Sequence, residues 1–200
     1  MISFVWSSLH PFYAGAGGSE NYTAGQIREL KRRGFDCRVL TLGFGENDGR
    51  DDFPDIEFKA LKNKEELAEL DDTIVFVLYP LNVRTKHLSY VILHCPPPSY
   101  TRDDPLFDKA GGFGKKLIAT SKFSARMWSE YYGQLTNRTA VVYPFAEEAF
   151  SRVERPKRTN DTTKILFAGR LTPDKGIYNL LAAMHMDGMK ELNPTLTVTT

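Results

Sequence analysis

Cysteine is scarce. Cys37 and Cys95 are the two thiols in 200 residues, and each falls in a run that reads as a strand. Two isolated cysteines give neither a disulfide framework nor zinc-ligand spacing, so the chain suits a reducing cytoplasm. An excess of charge of one sign is also lacking. The 26 Lys and Arg stand against 25 Asp and Glu, for a net charge of +1. A dedicated nucleic-acid binder would carry a concentrated basic surplus, so no nucleic-acid partner is expected. No apolar run reaches the length of a transmembrane helix. The opening MISFVWSSLHPF has no basic n-region and too short an apolar core for a signal peptide. Without one, the N-x-T triplets at Asn21, Asn137 and Asn160 read as chance. Internal repeats, low-complexity tracts, a G-x-x-x-x-G-K-[ST] loop, an H-E-x-x-H helix and a Ser-His-Asp order are all missing.

What remains is the composition of an ordinary globular chain, 42% hydrophobic and 26% charged, with a regular alternation of short apolar runs and helical patterns. Strands are expected at 2–7, 38–42, 56–61, 73–79, 90–94, 116–120 and 139–143. A helix is expected over 19–33, where Ala24, Ile27 and Leu30 repeat at a spacing of three and Gly34 closes the last turn. A short helix is expected over 64–70. Another follows Ser121, a good N-cap, and runs to about Tyr132. Near-continuous apolar strands alternating with helices imply an α/β fold, a Rossmann-like parallel sheet with helices on both faces. Residues 147–163 are polar and charged, as in a linker. A second α/β unit begins at Lys164, with Ile177, Leu180, Leu181 and Met184 as a helical stripe and TLTVTT as its next strand. The expected division is 1–158 and 164–200.

Three stretches bear on chemistry. In YAGAGGSE (13–20), glycines precede a helix, so backbone can approach a ligand closely while the helix N-terminus favours an anion. A flexible turn is the plain alternative. The stretch is no dinucleotide fingerprint: Glu20 stands where the third glycine belongs, and CRVLTL ends without a ribose-binding acid. In VILHCPPPSY (91–100), His94 closes a buried strand at the edge where open α/β sheets bind ligands. A histidine bonded only to backbone is the alternative. In ILFAGRLTPDKG (165–176), Arg170 and Lys175 flank a helix start whose dipole disfavours cations. An anion between them resolves that conflict, and an ion pair with Asp174 is the alternative. Elsewhere, RELKRRG reads as a solvated basic face. Arg126, Met127 and Trp128 on the later helix suggest peripheral membrane contact or, more plainly, core packing.

In order along the chain, these motifs resemble the retaining glycosyltransferases of family 4, which have the GT-B fold. GAGGSENYTAGQIRELKRRGFDCRVLT is similar to that family's glycine-rich loop, first helix and second strand. VILHCPPP resembles its central strand ending in histidine. VVYPFAEEAF is similar to the strand and turn before the interdomain linker, with Phe145-Ala146 where many members have Asn-Gly. ILFAGRLTPDKGIYNLLAAM resembles the opening of the donor-binding domain.

The resemblance implies an N-terminal acceptor-side domain followed by the first strand-helix-strand of a truncated nucleotide-sugar-binding domain. It implies transfer of a sugar from a nucleoside-diphosphate-sugar to a glycan, lipid or small-molecule acceptor, with retention and without a metal or other cofactor. Gly17 and Gly18 would approach the donor diphosphate or sugar, with Ser19 and Glu20 in substrate contact. His94 would meet the sugar near the reacting centre. Arg170 and Lys175 would hold the diphosphate. The location implied is cytoplasmic, extending to the inner membrane surface. The family's E-x7-E region is not in these 200 residues. A longer polypeptide is therefore expected to continue past Thr200, with 164–200 poorly supported and catalysis weak without it. A non-catalytic sugar- or lipid-binding module and a nucleotide-sugar epimerase are the alternatives.

Overall fold

A computed structural model describes residues 1–8, 10–13, 17–44, 48–78, 80–95, 97, 115–132, 139–144, 152–154 and 163–199. Ala14–Ala16 of the glycine stretch, Tyr79, residues 98–114 and most of the expected linker lie outside the described residues, as does the Phe145-Ala146 departure. The chain divides into two compact units, Met1–Ser151 and Arg152–Thr200.

The first unit is a seven-stranded sheet: β1 (Ile2–Trp6), β2 (Cys37–Leu42), β3 (Glu57–Leu61), β4 (Thr73–Phe76), β5 (Tyr90–Leu93), β6 (Lys116–Ala119) and β7 (Thr139–Val141). The strand order is β3-β2-β1-β4-β5-β6-β7, and all six ladders are parallel. This is the Rossmann-like α/β arrangement expected from the alternation. The direction of winding reverses between β1 and β4, the kind of switch point beside which open α/β sheets bind ligands.

Helix α1 (Gly18–Arg32) and helix α2 (Lys122–Tyr132) cover opposite faces. On one face Phe4, Trp6, Val39, Val75 and Ile92 pack with Tyr22, Ala24 and Ile27 of α1. On the other, Val5, Leu40, Ile74, Phe76, Val91 and Leu93 pack with Trp128 of α2. Neighbouring strand residues thus feed different cores, the period-two geometry of a strand buried on both faces. That is why the strands read as unbroken apolar runs.

Helix boundaries follow local chemistry. Gly34 takes φ +88° and its N–H bonds the Lys31 carbonyl at 3.0 Å, closing α1. The Ser121 hydroxyl accepts from the Ser124 N–H at 3.0 Å, capping α2. Some boundaries differ from the sequence expectation. Residues 64–68 form a 3-10 turn rather than an α-helix, with Leu67 its buried anchor. β4 stops at Phe76, although Val77 stays buried and its N–H still bonds Val5. Cys95 lies past the end of β5 and is exposed, not inside a strand.

The second unit pairs β8 (Lys164–Ala168) with β9 (Thr195–Thr199) in parallel. Between them come a 3-10 turn at Pro173–Lys175, helix α3 (Ile177–Met184) and helix α4 (Asp187–Leu192). Ile177 is buried while Leu181 is exposed, so the expected stripe is only partly covered. Among the described residues, no helix is long and apolar enough to cross a membrane.

Candidate functional site

The site grows from the C-terminal edge of the central strands, on the α1 face. After β1 the chain is fixed by aromatics. The Trp6 indole donates to the His10 carbonyl at 2.7 Å, and its ring meets Phe12 edge-on at 5.0 Å. Phe12 is also held from the β2 exit, since its N–H bonds the Asp48 carbonyl at 3.1 Å. The chain then enters α1 through Gly17, whose φ of −172° is ordinary extended backbone. A Cβ on Gly18 would meet nothing within 4 Å, and one on Gly17 only the end of the Glu20 side chain. Neither glycine is therefore demanded by crowding from its own chain. The N–H groups of the first turn, ahead of Asn21, have no intrahelical carbonyl to bond. Glu20 places a carboxylate in that turn, where the helix dipole favours it.

Tyr22 links this turn to His94. The two rings stand edge to face with centroids 5.4 Å apart. The Tyr22 hydroxyl donates to the Val142 carbonyl at 2.8 Å, just beyond β7, and burial pushes its pKa up to about 12. His94 follows Ile92 by two residues, so it projects toward the same α1 face. Burial lowers its pKa to about 4, against a smaller opposing effect of hydrogen bonding with the Val77 backbone. The imidazole is therefore neutral at pH 7. Its Nε2 is buried and has no hydrogen-bond partner among the described residues, a condition shared by Ser7 Oγ after β1 and Thr23 Oγ1 of α1. A buried polar atom without a partner costs free energy unless something bonds it.

The main chain carrying His94 is held by side chains reaching from β6 and α2. Thr120 Oγ1 donates to the His94 carbonyl at 3.1 Å. Ser124 Oγ lies 3.3 Å from both the Leu93 and the Cys95 carbonyls. The Trp128 indole donates to the Cys95 carbonyl at 2.6 Å. Sequence reading missed these three residues and Tyr22. Ser124 and Trp128 stand four apart on one helix, which puts them on a common face, but nothing local connects that face to residue 94.

Arg170 and Lys175 belong to the second unit, and both are exposed. They lie on the connection from β8 to α3. The expected helix start at Lys175 is instead the end of a 3-10 turn, separated from α3 by Gly176 in the left-handed region at φ 78°. Lys175 Nζ stands 3.5 Å from Asp174 Oδ2, the ion pair anticipated as the plain alternative. The neighbouring Lys175 charge helps to hold the Asp174 carboxyl below its ordinary range. No hydrogen bond or ion pair forms on the Arg170 side chain among the described residues.

Two other stretches resolve into structure. In the basic run of α1, Arg28 pairs with Asp55 at 2.7 Å, and Arg32 and Arg33 both pair with Glu29 at 2.7 Å. Trp128 is buried, so it cannot lie on a membrane. Among the described side chains of α2, Lys122, Phe123, Arg126 and Glu130 are exposed.

Sheet order and parallel ladders define the first unit as a Rossmann-like α/β domain. Comparison with protein-family models, with curated proteins and with solved structures found no match to the chain.

Proposed function

We propose that the chain serves a retaining glycosyltransferase, moving a sugar from a nucleoside-diphosphate-sugar donor to a glycan, lipid or small-molecule acceptor in the cytoplasm or at its membrane surface. The observation that carries this reading is His94. It presents a neutral, buried Nε2 with no partner among the described residues and a ring set against Tyr22 of α1, at the edge where parallel sheets bind ligands. A neutral imidazole nitrogen without a protein partner can bond a sugar hydroxyl, as donor or as acceptor. A ring that stays neutral at pH 7 orients substrate rather than delivering a proton.

Glu20 refines the role of the neighbouring turn. A carboxylate at N3 would repel a diphosphate but accepts hydroxyl hydrogens, so Gly17–Glu20 suits the sugar better than the phosphates. In the second unit, Arg170 and Lys175 carry the chemistry that a diphosphate needs. Arg170 can grip two phosphate oxygens at once, and Lys175 adds a point charge by leaving Asp174. Such cations stabilise the charge that develops on a departing nucleoside diphosphate, which does not require a metal.

The Lys175–Asp174 pair favours a second reading, a non-catalytic sugar- or lipid-binding module that never engages phosphate. Thermal stabilisation of the full polypeptide by a panel of nucleotide-sugars, followed by calorimetry, separates the two. At least one nucleotide-sugar is expected to raise the melting temperature. Arg170→Ala is expected to weaken its binding by roughly tenfold or more, the value of a charge-assisted bidentate contact. Stabilisation by free sugars or lipids alone, with Arg170→Ala silent, would favour the module. No stabilisation by any of them would sink both readings.

A further inference from the structure

We infer that Thr120, Ser124 and Trp128 form a positioning device that fixes the main chain carrying His94. Leaving β5, the chain has three successive carbonyls, at Leu93, His94 and Cys95. Main-chain carbonyls past a strand end usually turn to water or a tight turn for bonding. Here each is taken by a side chain 26 to 33 residues further along the sequence. The Thr120 N–H adds a 3.4 Å bond to the Leu93 carbonyl.

The donors are of three kinds: a hydroxyl at the end of β6, a hydroxyl one turn into α2, and an indole a turn further on. Ser124 and Trp128 belong to α2, where Trp128 joins the core with Val91 and Leu93, and Thr120 follows β6 directly beside His94. The imidazole stands against Tyr22. Main chain held through its carbonyls sets the direction in which the side chain leaves it. A functional group is useful only when its supporting residues lock its geometry, and three bonds on three consecutive peptides do that without touching the ring. The device also explains why Trp128, a large residue on a surface helix, is buried with its N–H satisfied.

This inference rests on the proposed role of His94, but its test does not need turnover. The readout is the titration of His94 in the full chain labelled with 15N-histidine, whose four histidines are followed together by NMR. Tyr22 from α1 and Cys95 from the same segment are titratable neighbours. Burial raises the pKa of both, so both stay uncharged while His94 titrates.

Thr120→Val keeps the shape but removes the hydroxyl, and Trp128→Phe keeps an aromatic ring but removes the donor. Each is expected to let water reach the ring and raise the His94 midpoint by roughly one pH unit toward its ordinary value, leaving His10, His87 and His185 unmoved. Thr120→Ser retains the hydroxyl and is expected to restore the original midpoint. Unchanged midpoints in both Thr120→Val and Trp128→Phe would overturn the inference, and so would a Thr120→Ser shift as large as that of Thr120→Val. If the midpoints move as expected but His94→Gln leaves nucleotide-sugar binding intact, the glycosyl-transfer reading falls alone.

Discussion

Gly49, Gly34 and Gly18 differ in what a Cβ would meet. Gly49 sits at φ +91°, and a Cβ there would stand 1.9 Å from the Phe12 carbonyl oxygen. The exits of β1 and β2 touch at that point, so the glycine allows the Phe12 N–H to reach Asp48. Gly34 also has positive φ, +88°, but open space around it. Gly18 is helical with open space. Alanine at the three sites should therefore rank cleanly in urea denaturation. Gly49→Ala is expected to cost roughly 3 kcal/mol, from the conformational penalty plus a backbone clash. Gly34→Ala should cost about 1 kcal/mol, from conformation alone. Gly18→Ala should be neutral or stabilising by about 0.5 kcal/mol, since alanine favours the helix. If Gly18→Ala nevertheless weakens ligand binding, the glycine is kept for the ligand and not for the fold. Equal costs at Gly49 and Gly34 would mean that the Phe12 contact is soft.

At the scale of elements, the sequence was most legible where burial is two-sided. Runs such as VLTL and VILH must be strands inside a parallel sheet, because both faces are apolar. The reach of a strand was less legible, because β4 ends where pairing ends, at Phe76, while burial runs on through Val77. Glycine and cap positions were readable because their chemistry is local, as at Gly34 and Ser121. His94 was readable as a strand-end histidine. Its hold by Thr120, Ser124 and Trp128 was not, because those contacts form only when β6 is laid beside β5. The second unit shows the same limit. Its strand and helix periods were readable, yet β8 and β9 form a bare two-stranded pair with Leu166 and Val198 exposed. Two strands are marginal by themselves. Amide hydrogens of β8 and β9 are accordingly expected to exchange orders of magnitude faster than those of β1 and β4, with opening free energies well below the global value. Equal protection in both sheets, measured by exchange mass spectrometry, would show that the pair is supported as firmly as the large sheet.

At the scale of the whole first unit, polar groups divide between the two edges of the sheet. At the N-terminal edge they are satisfied. Ser3 Oγ donates to Asp72 at 2.6 Å, and Arg38 bonds both Ser3, at 3.0 Å, and Asp72, at 2.6 Å. At the C-terminal edge Ser7, Thr23 and His94 each leave a buried atom without a partner. Main-chain carbonyls and Asp48 are well bonded at this edge too, so the unmet bonding capacity is confined to a few side chains, as suits an edge that binds a ligand. The two edges should also titrate apart. Asp72 has its carboxyl lowered by Ser3 and Arg38 against the cost of burial. It stabilises the fold above the ordinary carboxylate range, and that contribution disappears as pH falls through its folded pKa. His94 carries the opposite charge chemistry. Its folded pKa, about 4, lies below the unfolded 6.5, so the unfolded chain takes up the proton first. Stability is full above pH 6.5 and falls as pH drops toward 4, by an amount on the order of 3 kcal/mol for a shift of about 2.5 units. Denaturation across pH 3 to 8 should therefore separate the edges. His94→Gln is expected to flatten the curve between pH 6.5 and 4 while weakening nucleotide-sugar binding. Asp72→Ala should remove roughly 1 to 2 kcal/mol at pH 7, since Arg38 loses one partner but keeps Ser3 and a 3.7 Å pair with Glu57, and leave binding unchanged once folding is corrected for. A binding defect in Asp72→Ala as large as that in His94→Gln would mean that the two edges are coupled and that the division of labour does not hold.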